Sequence, residues 1–305
     1  MKNLVMGFAT NQTEHSVRLF CSSLRRVYSP EQCDLVLVTN KHEDYFNELA
    51  ASGVQFFQTP NNYSPRTGKV AKALNRIVLN GMRGLIGSGL LQKVAPEIAE
   101  AYPVLIETWH HPQIMRWFSY ERMLKLNRHY EQVFLSDVKD VVFQAELFPD
   151  KPGDTVTLFD QDEVYGPSYW DTTWYREGWG KAALAKVMGK RPICIGTILG
   201  PQAQMLSLVS EIAAFFARHP FGRIEQAVFN YMLLTGQVKT PYRIADNVSG
   251  PVATLSNQSA FEKVRVQDGR IRRAADLSVV PAVHMYDRFP ETKALFPEPG
   301  HGTAA

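Results

Sequence analysis

The stretch YEQVFLSDVKDVVFQ, residues 130–144, places charged side chains where an apolar run is interrupted. Residues 133–135 (VFL) form an apolar run short enough to be a buried strand. The run breaks at residues 136–140 (SDVKD), and apolar residues resume at 141–143. In an open α/β sheet, ligands bind in the crevice at the carboxyl ends of strands. Carboxylates there suit a hard divalent cation carrying phosphates, although such residues also form ordinary solvated turns.

The chain before this stretch alternates predicted strands with helices. Strands are predicted at residues 4–9, 35–38 and 54–57, and the apolar spacing over residues 17–24 predicts an amphipathic helix. Such alternation favours an α/β fold with a doubly wound sheet. The turn at residues 10–13 (TNQT) has no glycine, which weighs against a dinucleotide-binding fingerprint, a P-loop and the glycine-rich first turn of sugar-nucleotide pyrophosphorylases.

Composition fits one large globular domain or two closely joined ones. The chain has 305 residues, of which 45% are hydrophobic and 21% charged. A net charge of +3, from 33 basic and 30 acidic residues, is too balanced to predict nucleic-acid binding. No apolar run reaches the roughly 18 residues of a membrane span. Three cysteines without metal-ligand spacing predict reduced, mostly buried thiols in a cytoplasmic protein: Cys21, Cys33 and Cys194.

A basic segment follows the third predicted strand. Between residues 66 and 96 there is no acid, and apolar residues interleave with the cations Arg66, Lys69, Lys72, Arg76, Arg83 and Lys93. The pattern predicts a helical basic insertion over residues 63–102. Three interpretations stay open: a solvated basic face, a lid over a diphosphate, or peripheral contact of residues 66–93 with an anionic membrane surface.

After the central stretch, a strand is predicted at residues 155–159, followed by an aromatic segment predicted to be a loop. Six large aromatic residues occur there: Tyr165, Tyr169, Trp170, Trp174, Tyr175 and Trp179. Aromatic rings with polar tips suit a wet binding surface for sugar, and local packing is the alternative. A hairpin with an Asp-Gly turn is predicted at residues 264–272, and a strand at 279–283 leads into HMYDR, residues 284–288.

SDVKDVVFQ and the late HMYDR together resemble the GT-A glycosyltransferases. In that family a DxD-type acidic motif ends a central strand and holds a nucleotide-sugar diphosphate through a metal. The spacing here is D-x-x-D, with Lys139 where a strict DxD has its second Asp. The resemblance runs from the first strand to Arg288 and leaves the insertion unaccounted for. It implies a GT-A-like mixed sheet flanked by helices in one domain, residues 1–297. That domain would have a nucleotide-binding half (1–144), an acceptor-side half (145–297) and a disordered tail (298–305).

The resemblance also implies roles for individual residues. The expected ligands of Mn²⁺ or Mg²⁺ are Asp137, Asp140 and His284. The expected donor-binding residues are Ala9, Thr10, Arg116, Asp137 and Lys139. Gly196 lies in ICIGTILG, which is similar to a small-residue acceptor segment. Together with aromatic residues of the segment described above, it completes the set of expected acceptor-binding residues: Tyr169, Trp170, Trp174, Trp179 and Gly196. Candidates for a catalytic base are Asp160, Asp162 and Glu225, the last in EQAVFN, which is similar to the family's DQxxxN helix.

The activity implied is transfer of a sugar from a nucleotide-sugar donor to a hydroxyl of a glycan or small-molecule acceptor, with no nucleic-acid partner. Two alternatives stay open. A nucleotidyltransferase of sugar phosphates would share the fold and the metal carboxylates, but it should have a glycine-rich first turn. A non-catalytic carbohydrate-binding protein would keep the aromatic segment without needing the acidic motif.

Overall fold

The computed structural model describes residues 2–41, 43–62, 68–151, 153–166, 170–219 and 224–297. The predicted tail 298–305, Tyr169 and Arg66 lie outside these residues.

The described part of the chain alternates strands and helices. The strands are β1 (Lys2–Phe8), β2 (Cys33–Thr39), β3 (Val54–Gln58), β4 (Tyr130–Asp137), β5 (Val141–Phe143), β6 (Val156–Asp160), β7 (Ile193–Pro201), β8 (Tyr242–Ala245), β9 (Val252–Thr254), β10 (Val264–Gln267), β11 (Arg270–Arg273) and β12 (Ala282–His284). The helices are α1 (Glu14–Arg25), α2 (Phe46–Ala51), α3 (Lys69–Gly87), α4 (Leu90–Val94), α5 (Pro96–Trp109), α6 (Pro112–Leu126), α7 (Trp170–Ala185), α8 (Gln202–Arg218), α9 (Glu225–Leu234), α10 (Gln258–Glu262) and α11 (Pro290–Lys293). A 3₁₀ turn covers Tyr286–Arg288.

The main sheet has seven strands in the order β3-β2-β1-β4-β7-β6-β8. Strands β3, β2, β1 and β4 are parallel to one another, and β7 runs antiparallel to both β4 and β6. The predicted doubly wound mixed sheet flanked by helices is therefore confirmed, with strands from both predicted halves in one sheet. The strand order reverses between β1 and β4, which is the topological switch point where such sheets bind ligands.

Strand β4 is apolar because helices cover both faces of the sheet. Val133 and Leu135 belong to the hydrophobic cluster that contains Trp117 of α6. Phe134 points to the opposite cluster, which contains Phe20 of α1. A strand buried on both faces gives a continuous apolar run in the sequence.

A second, three-stranded sheet has the order β5-β12-β9. The strand predicted at residues 279–283 begins later, at Ala282, and runs through His284. The predicted hairpin is confirmed as β10-β11, and its turn residues Asp268 and Gly269 both have positive φ. Asp-Gly is suited to this turn because both central residues must adopt the left-handed conformation.

The helical structure predicted for residues 63–102 is found as α3, α4 and α5, of which α5 continues to Trp109, whereas residues 63–67 lie outside the described ranges. Tyr102 is one of its links to the body of the protein, since its hydroxyl can donate to the carbonyl oxygen of Ala217 in α8 (3.1 Å) as well as to that of Leu79 in α3 (3.2 Å). None of the helices in the described ranges is long and apolar enough to cross a bilayer.

The prediction of an aromatic loop was wrong for residues 170–179, which begin helix α7. Trp170 and Trp174 are four residues apart, as are Tyr175 and Trp179, and this spacing places each pair on one helix face. The helix is interrupted at Gly180, whose φ of 81° is not helical. The density of aromatic residues therefore reflects helix packing as well as surface.

Candidate metal and donor site at the switch point

Three side chains with metal-binding atoms meet at the carboxyl end of β4. Asp137 ends this strand, Asp140 follows it, and His284 ends β12. One ligand atom from each lies within 4.8 Å of the others. The His284 Nε2 atom is 3.7 Å from Asp137 Oδ2 and 3.5 Å from Asp140 Oδ1. The residues predicted as metal ligands are thus brought together by the fold.

Strand pairing explains how residues so distant in sequence meet. Strand β5 begins directly after Asp140 and pairs antiparallel with β12, with Val141 opposite His284. The backbone N–H of Met285 donates to the Asp140 carbonyl oxygen at 2.8 Å. Met285 adopts a left-handed conformation with φ of 60°, which turns the chain away immediately after the histidine. The backbone therefore fixes His284 beside Asp140.

The state of the His284 ring fits a cation site. The ring is fully buried, and its Nε2 atom has no hydrogen-bond partner among the described residues. A buried polar atom without a partner is costly, and here it faces two carboxylates. Two ligands about 2.1 Å from one ion at right angles lie about 3 Å apart, so the atoms at 3.5 and 3.7 Å would have to move only slightly inward to bind one. A divalent cation would satisfy all three side chains.

The other ring nitrogen of His284 lies beside a buried thiol. Its Nδ1 atom is 3.5 Å from Cys194 Sγ. Burial by itself lowers the pKa of His284, but the neighbouring Cys194 and Asp140 more than offset this and raise it well above its ordinary value. The acidic groups around the ring thus favour a positive charge at this position, either a proton on the ring or a cation in the proton's place.

Glycines on both neighbouring strands make room for the acidic motif. A Cβ atom at Gly196 of β7 would lie 2.6 Å from His284 Cε1 and 2.7 Å from Asp137 Oδ2. A Cβ atom at Gly7 of β1 would lie 2.5 Å from Val138 Cγ2. Gly196, predicted to contact an acceptor, is therefore placed directly against two of the candidate metal ligands.

Asp137 is held by a buried ion-pair network. The Arg116 guanidinium donates to Asp137 Oδ1 at 2.5 Å through Nη1 and to Glu225 Oε2 at 2.8 Å through Nε. The Trp117 indole N–H donates to the same Glu225 oxygen at 2.9 Å. Burial raises the pKa of Glu225 to about 7, although Arg116 opposes the shift. The structure thus places Arg116 and Glu225 next to Asp137, one of the candidate metal ligands, and their contacts with substrate remain predictions.

Two cavities open at the same edge of the sheet. A cavity of about 940 Å³ lies at the carboxyl ends of β1 and β2, and Ala9 and Asn40 line it. Thr10 is buried next to it, with a hydroxyl that has no partner among the described residues. A smaller cavity of about 260 Å³ is lined by Lys139 and Lys293. Lys139 thus lines a space beside the acidic motif.

The remaining base candidates lie at the end of β6. Asp160 is buried and binds Arg191 Nη1 at 2.6 Å, and it also accepts from the backbone N–H of Asp162. Asp162 binds Lys263 Nζ at 2.5 Å through Oδ1, whereas its buried Oδ2 has no partner among the described residues. Asp162 also lines a separate cavity of about 1000 Å³. It has a positive φ of 58°, which is uncommon outside glycine.

The aromatic residues of α7 divide into packed and exposed groups. Trp179 stacks on Tyr231 with ring centroids 3.7 Å apart, and its indole N–H donates to the Ala227 carbonyl oxygen. Trp170 is exposed and Trp174 half-buried, with their ring centroids 6.4 Å apart. Among the predicted acceptor residues in the described ranges, these two tryptophans offer open aromatic surface.

Sequence reasoning missed several residues around this site. The sequence predicts only that Cys194 is a buried thiol, whereas in the structure it contacts His284. Lys293 was not singled out, although it lines the small cavity together with Lys139. The buried Asp171 accepts hydrogen bonds from Gln161 and Gln226 and joins the end of β6 to the starts of α7 and α9. Only the position of Lys293, shortly after HMYDR, gave a signal in the sequence.

No protein-family model and no curated protein sequence matches this chain. Among solved structures it is similar to the galactosyltransferase LgtC, in complex with donor and acceptor sugar analogues, at 13% identity and a TM-score of 0.47, over 92% of this chain and 86% of LgtC. A glycosyltransferase involved in glycosylation of the PBCV-1 major capsid is similar at 9% identity and a TM-score of 0.44, over 97% and 98%. The glycosyltransferase GlyE of Streptococcus pneumoniae TIGR4 has 12% identity and a TM-score of 0.40, over 80% of this chain and 45% of GlyE. These similarities are distant, so the function has to be inferred from the site itself.

Proposed function

We propose that this chain is a metal-assisted glycosyltransferase that moves a sugar from a nucleotide-sugar donor to a hydroxyl of a glycan or small-molecule acceptor. The observation that carries the proposal is the buried Nε2 atom of His284, which faces Asp137 and Asp140 without a hydrogen-bond partner among the described residues. This cluster lies at the switch point of a doubly wound sheet, where ligands of such folds bind.

Two cavities at the same edge of the sheet, which share Asn11 and Gln12 in their lining, suit the two ends of a nucleoside diphosphate. The larger cavity, which Ala9 lines, would take the nucleoside. The smaller cavity presents the ammonium groups of Lys139 and Lys293, which can neutralise phosphate oxygens. A divalent cation held by Asp137, Asp140 and His284 would supply a Lewis acid for the departing diphosphate. The metal would be Mn²⁺ or Mg²⁺.

Arg116 and Glu225 have a supporting part in this proposal. Arg116 joins the Asp137 carboxylate to Glu225, and both Arg116 and Glu225 are buried. Such a contact fixes the rotamer of a metal-binding carboxylate and limits its repulsion with the second one. Arg116 would thus hold Asp137 in place even while the nucleotide enters and leaves.

The acceptor is proposed to lie against α7 and the end of β6. Trp170 and Trp174 offer aromatic faces on which the C–H faces of a sugar ring can stack. Among the base candidates, Asp160 and Glu225 each bind an arginine, whereas Asp162 keeps one carboxylate oxygen without a partner among the described residues. Asp162 is therefore the candidate best able to accept a proton from an acceptor hydroxyl, if the reaction uses a base.

The test is calorimetric titration of the protein with a panel of nucleoside diphosphates, in Mn²⁺ and in excess EDTA. We expect one nucleotide to bind in Mn²⁺, and both EDTA and Asp140→Asn to weaken it by at least about tenfold. Asp34→Asn is the matched control, because Asp34 is also a buried strand aspartate but pairs with Lys2 near the start of β1. We expect it to bind the nucleotide like the wild type.

Transfer is then measured with the sugar nucleotides of the base that binds. Product formation that requires Mn²⁺ and Asp140 supports the proposal. Release of pyrophosphate from a nucleoside triphosphate, with transfer of its nucleotidyl group to a sugar phosphate, would instead indicate a nucleotidyltransferase. Nucleotide binding that neither EDTA nor Asp140→Asn weakens would contradict the metal site. Binding of sugars without any nucleotide would indicate a carbohydrate-binding protein.

A further inference from the structure

Helix α3 carries an apolar face that the described protein does not cover. The exposed fractions are 83% for Val70, 56% for Leu74, 67% for Ile77 and 42% for Leu85. These positions follow i, i+4, i+7 and i+15, so they lie along one side of the helix. Soluble proteins rarely leave a contiguous apolar surface of this kind without a partner.

Helix α3 is nevertheless packed against the rest of the protein. The opposite side of α3 is buried at Leu79, and Met82 and Ile86 pack against the main hydrophobic cluster. The helix therefore has one apolar face on the body of the protein and a second one turned away from it. Short helix α4 adds Leu90 and Val94, which are exposed by 49% and 69%.

Charge is distributed unevenly around this surface. Residues 68–96 contain five cations and no acid, although the whole chain has a net charge of only +3. Arg76 and Lys93, both exposed, belong to this set. An amphipathic helix with apolar residues on one face and Lys or Arg on another is the pattern of helices that lie in a membrane interface.

We propose that α3 and α4 form a peripheral membrane anchor that binds a surface of anionic lipids. The apolar side chains of Val70, Leu74 and Ile77 would enter the boundary between headgroups and acyl chains, and the cations would bind lipid phosphates. Charge favours lipid over a second copy of the chain. A two-fold contact through this face would bring together two identical cationic segments that contain no acid to neutralise them.

The experiment is co-sedimentation of the full chain with vesicles. Vesicles of phosphatidylcholine mixed with phosphatidylglycerol should bind the wild type at least about tenfold more tightly than pure phosphatidylcholine, and high salt should weaken this binding. The double variant Leu74→Ser, Ile77→Ser should lose at least about tenfold in vesicle binding. Arg76→Glu, Lys93→Glu should lose binding to the anionic vesicles only.

The matched control is Ile244→Ser, Val266→Ser, which replaces apolar side chains that are also exposed but lie on β8 and β10. This variant should bind vesicles like the wild type. Thermal unfolding of all variants should match the wild type, because the replaced side chains are exposed; a variant that unfolds early is replaced by Val70→Ser, which removes the most exposed of them.

The proposal is overturned if the wild type does not bind anionic vesicles, or if the Leu74→Ser, Ile77→Ser variant binds them as well as the control does. It is also overturned if sedimentation velocity shows a dimer that this double variant dissociates, since a second copy would then cover the face. None of these outcomes depends on the proposed glycosyl transfer, because vesicle binding is measured without substrate.

Discussion

The two nitrogens of the His284 ring have different surroundings, and this sets what the residue can do. Nδ1 is 3.5 Å from Cys194 Sγ, and Nε2 faces Asp137 and Asp140. In a ring that binds a cation through Nε2, the proton sits on Nδ1 and points at the Cys194 sulfur, which is only a weak acceptor. The orientation of the ring therefore depends mainly on the pairing of β12 with β5, and less on its hydrogen bond.

Gly196 provides a sharp test of the site at this scale. We expect Gly196→Ala to reduce Mn²⁺ affinity at least about tenfold, because the new methyl group would overlap His284 and Asp137. The backbone at Gly196 does not have the positive φ that requires glycine, but the overlap with the buried His284 ring should also cost about 1–3 kcal/mol of unfolding free energy. Titration calorimetry with Mn²⁺ measures the affinity, and thermal unfolding measures the fold.

Gly200, on the same strand, is the control for this change. A Cβ atom there would lie 3.0 Å from the backbone Cα of Val156 and far from the ligands in the strand pairing. We expect Gly200→Ala to cost about 1–3 kcal/mol of unfolding free energy and to leave Mn²⁺ affinity unchanged. Equal Mn²⁺ affinities of the wild type and the Gly196 variant would place the cation elsewhere.

At the scale of elements, the sequence predicts where strands end better than it predicts which side chains contact the residues at those ends. The run before Asp137 predicted β4 because both of its faces are buried, and HMYDR predicted the position of His284. The environment of Arg116 could not be predicted, because an arginine on a helix looks the same in sequence whether it reaches a ligand or a buried glutamate. Glu225 is its partner, and the two are distant in the chain.

Helix α7 shows the same limit in a different form. The sequence predicts one role, sugar binding, for all of its tryptophans. The structure separates Trp174 from Trp179, which stacks on Tyr231. Only the packing of α7 against α9 decides which ring is covered. The four-residue spacing of its aromatic residues is compatible with a helix, but the many polar and glycine residues of the segment favour a loop.

The separation of these tryptophans can be tested by their replacement. We expect Trp174→Ala to raise the acceptor KM or lower kcat in the transfer reaction, with donor hydrolysis and stability little changed. Trp179→Ala should instead cost about 3 kcal/mol of unfolding free energy, because it removes a stacked ring and a hydrogen bond. Steady-state kinetics and urea unfolding distinguish the two. A loss of stability in both variants would assign α7 a packing role only.

At the scale of the whole molecule, the candidate metal site joins the two sheets. Asp137 belongs to the seven-stranded sheet, and His284 belongs to the three-stranded one. A cation bound between them would hold the sheets together only in the folded state, since the unfolded chain does not assemble these ligands. A cation at this site would therefore couple its own binding to the stability of the entire fold.

We accordingly expect Mn²⁺ to stabilise the wild-type chain. At a free concentration of about 100 times Kd, one site adds about 2.7 kcal/mol to the unfolding free energy. Excess EDTA should reverse the effect, and Asp140→Asn should show little of it, whereas Asp34→Asn should behave like the wild type. Thermal unfolding across a Mn²⁺ series measures this. A stabilisation that persists in Asp140→Asn would exclude Asp140 as a ligand.

The space at Gly196 also has an evolutionary consequence. The methyl group of an alanine there would overlap two of the proposed ligands and so remove the proposed cation site, whereas Gly196 lines neither of the two cavities. A single codon change would thus convert the proposed enzyme into a folded pseudoenzyme. Among natural variants of this chain, those with glycine at position 196 would be able to catalyse, and those with a larger residue there would have the fold without the activity.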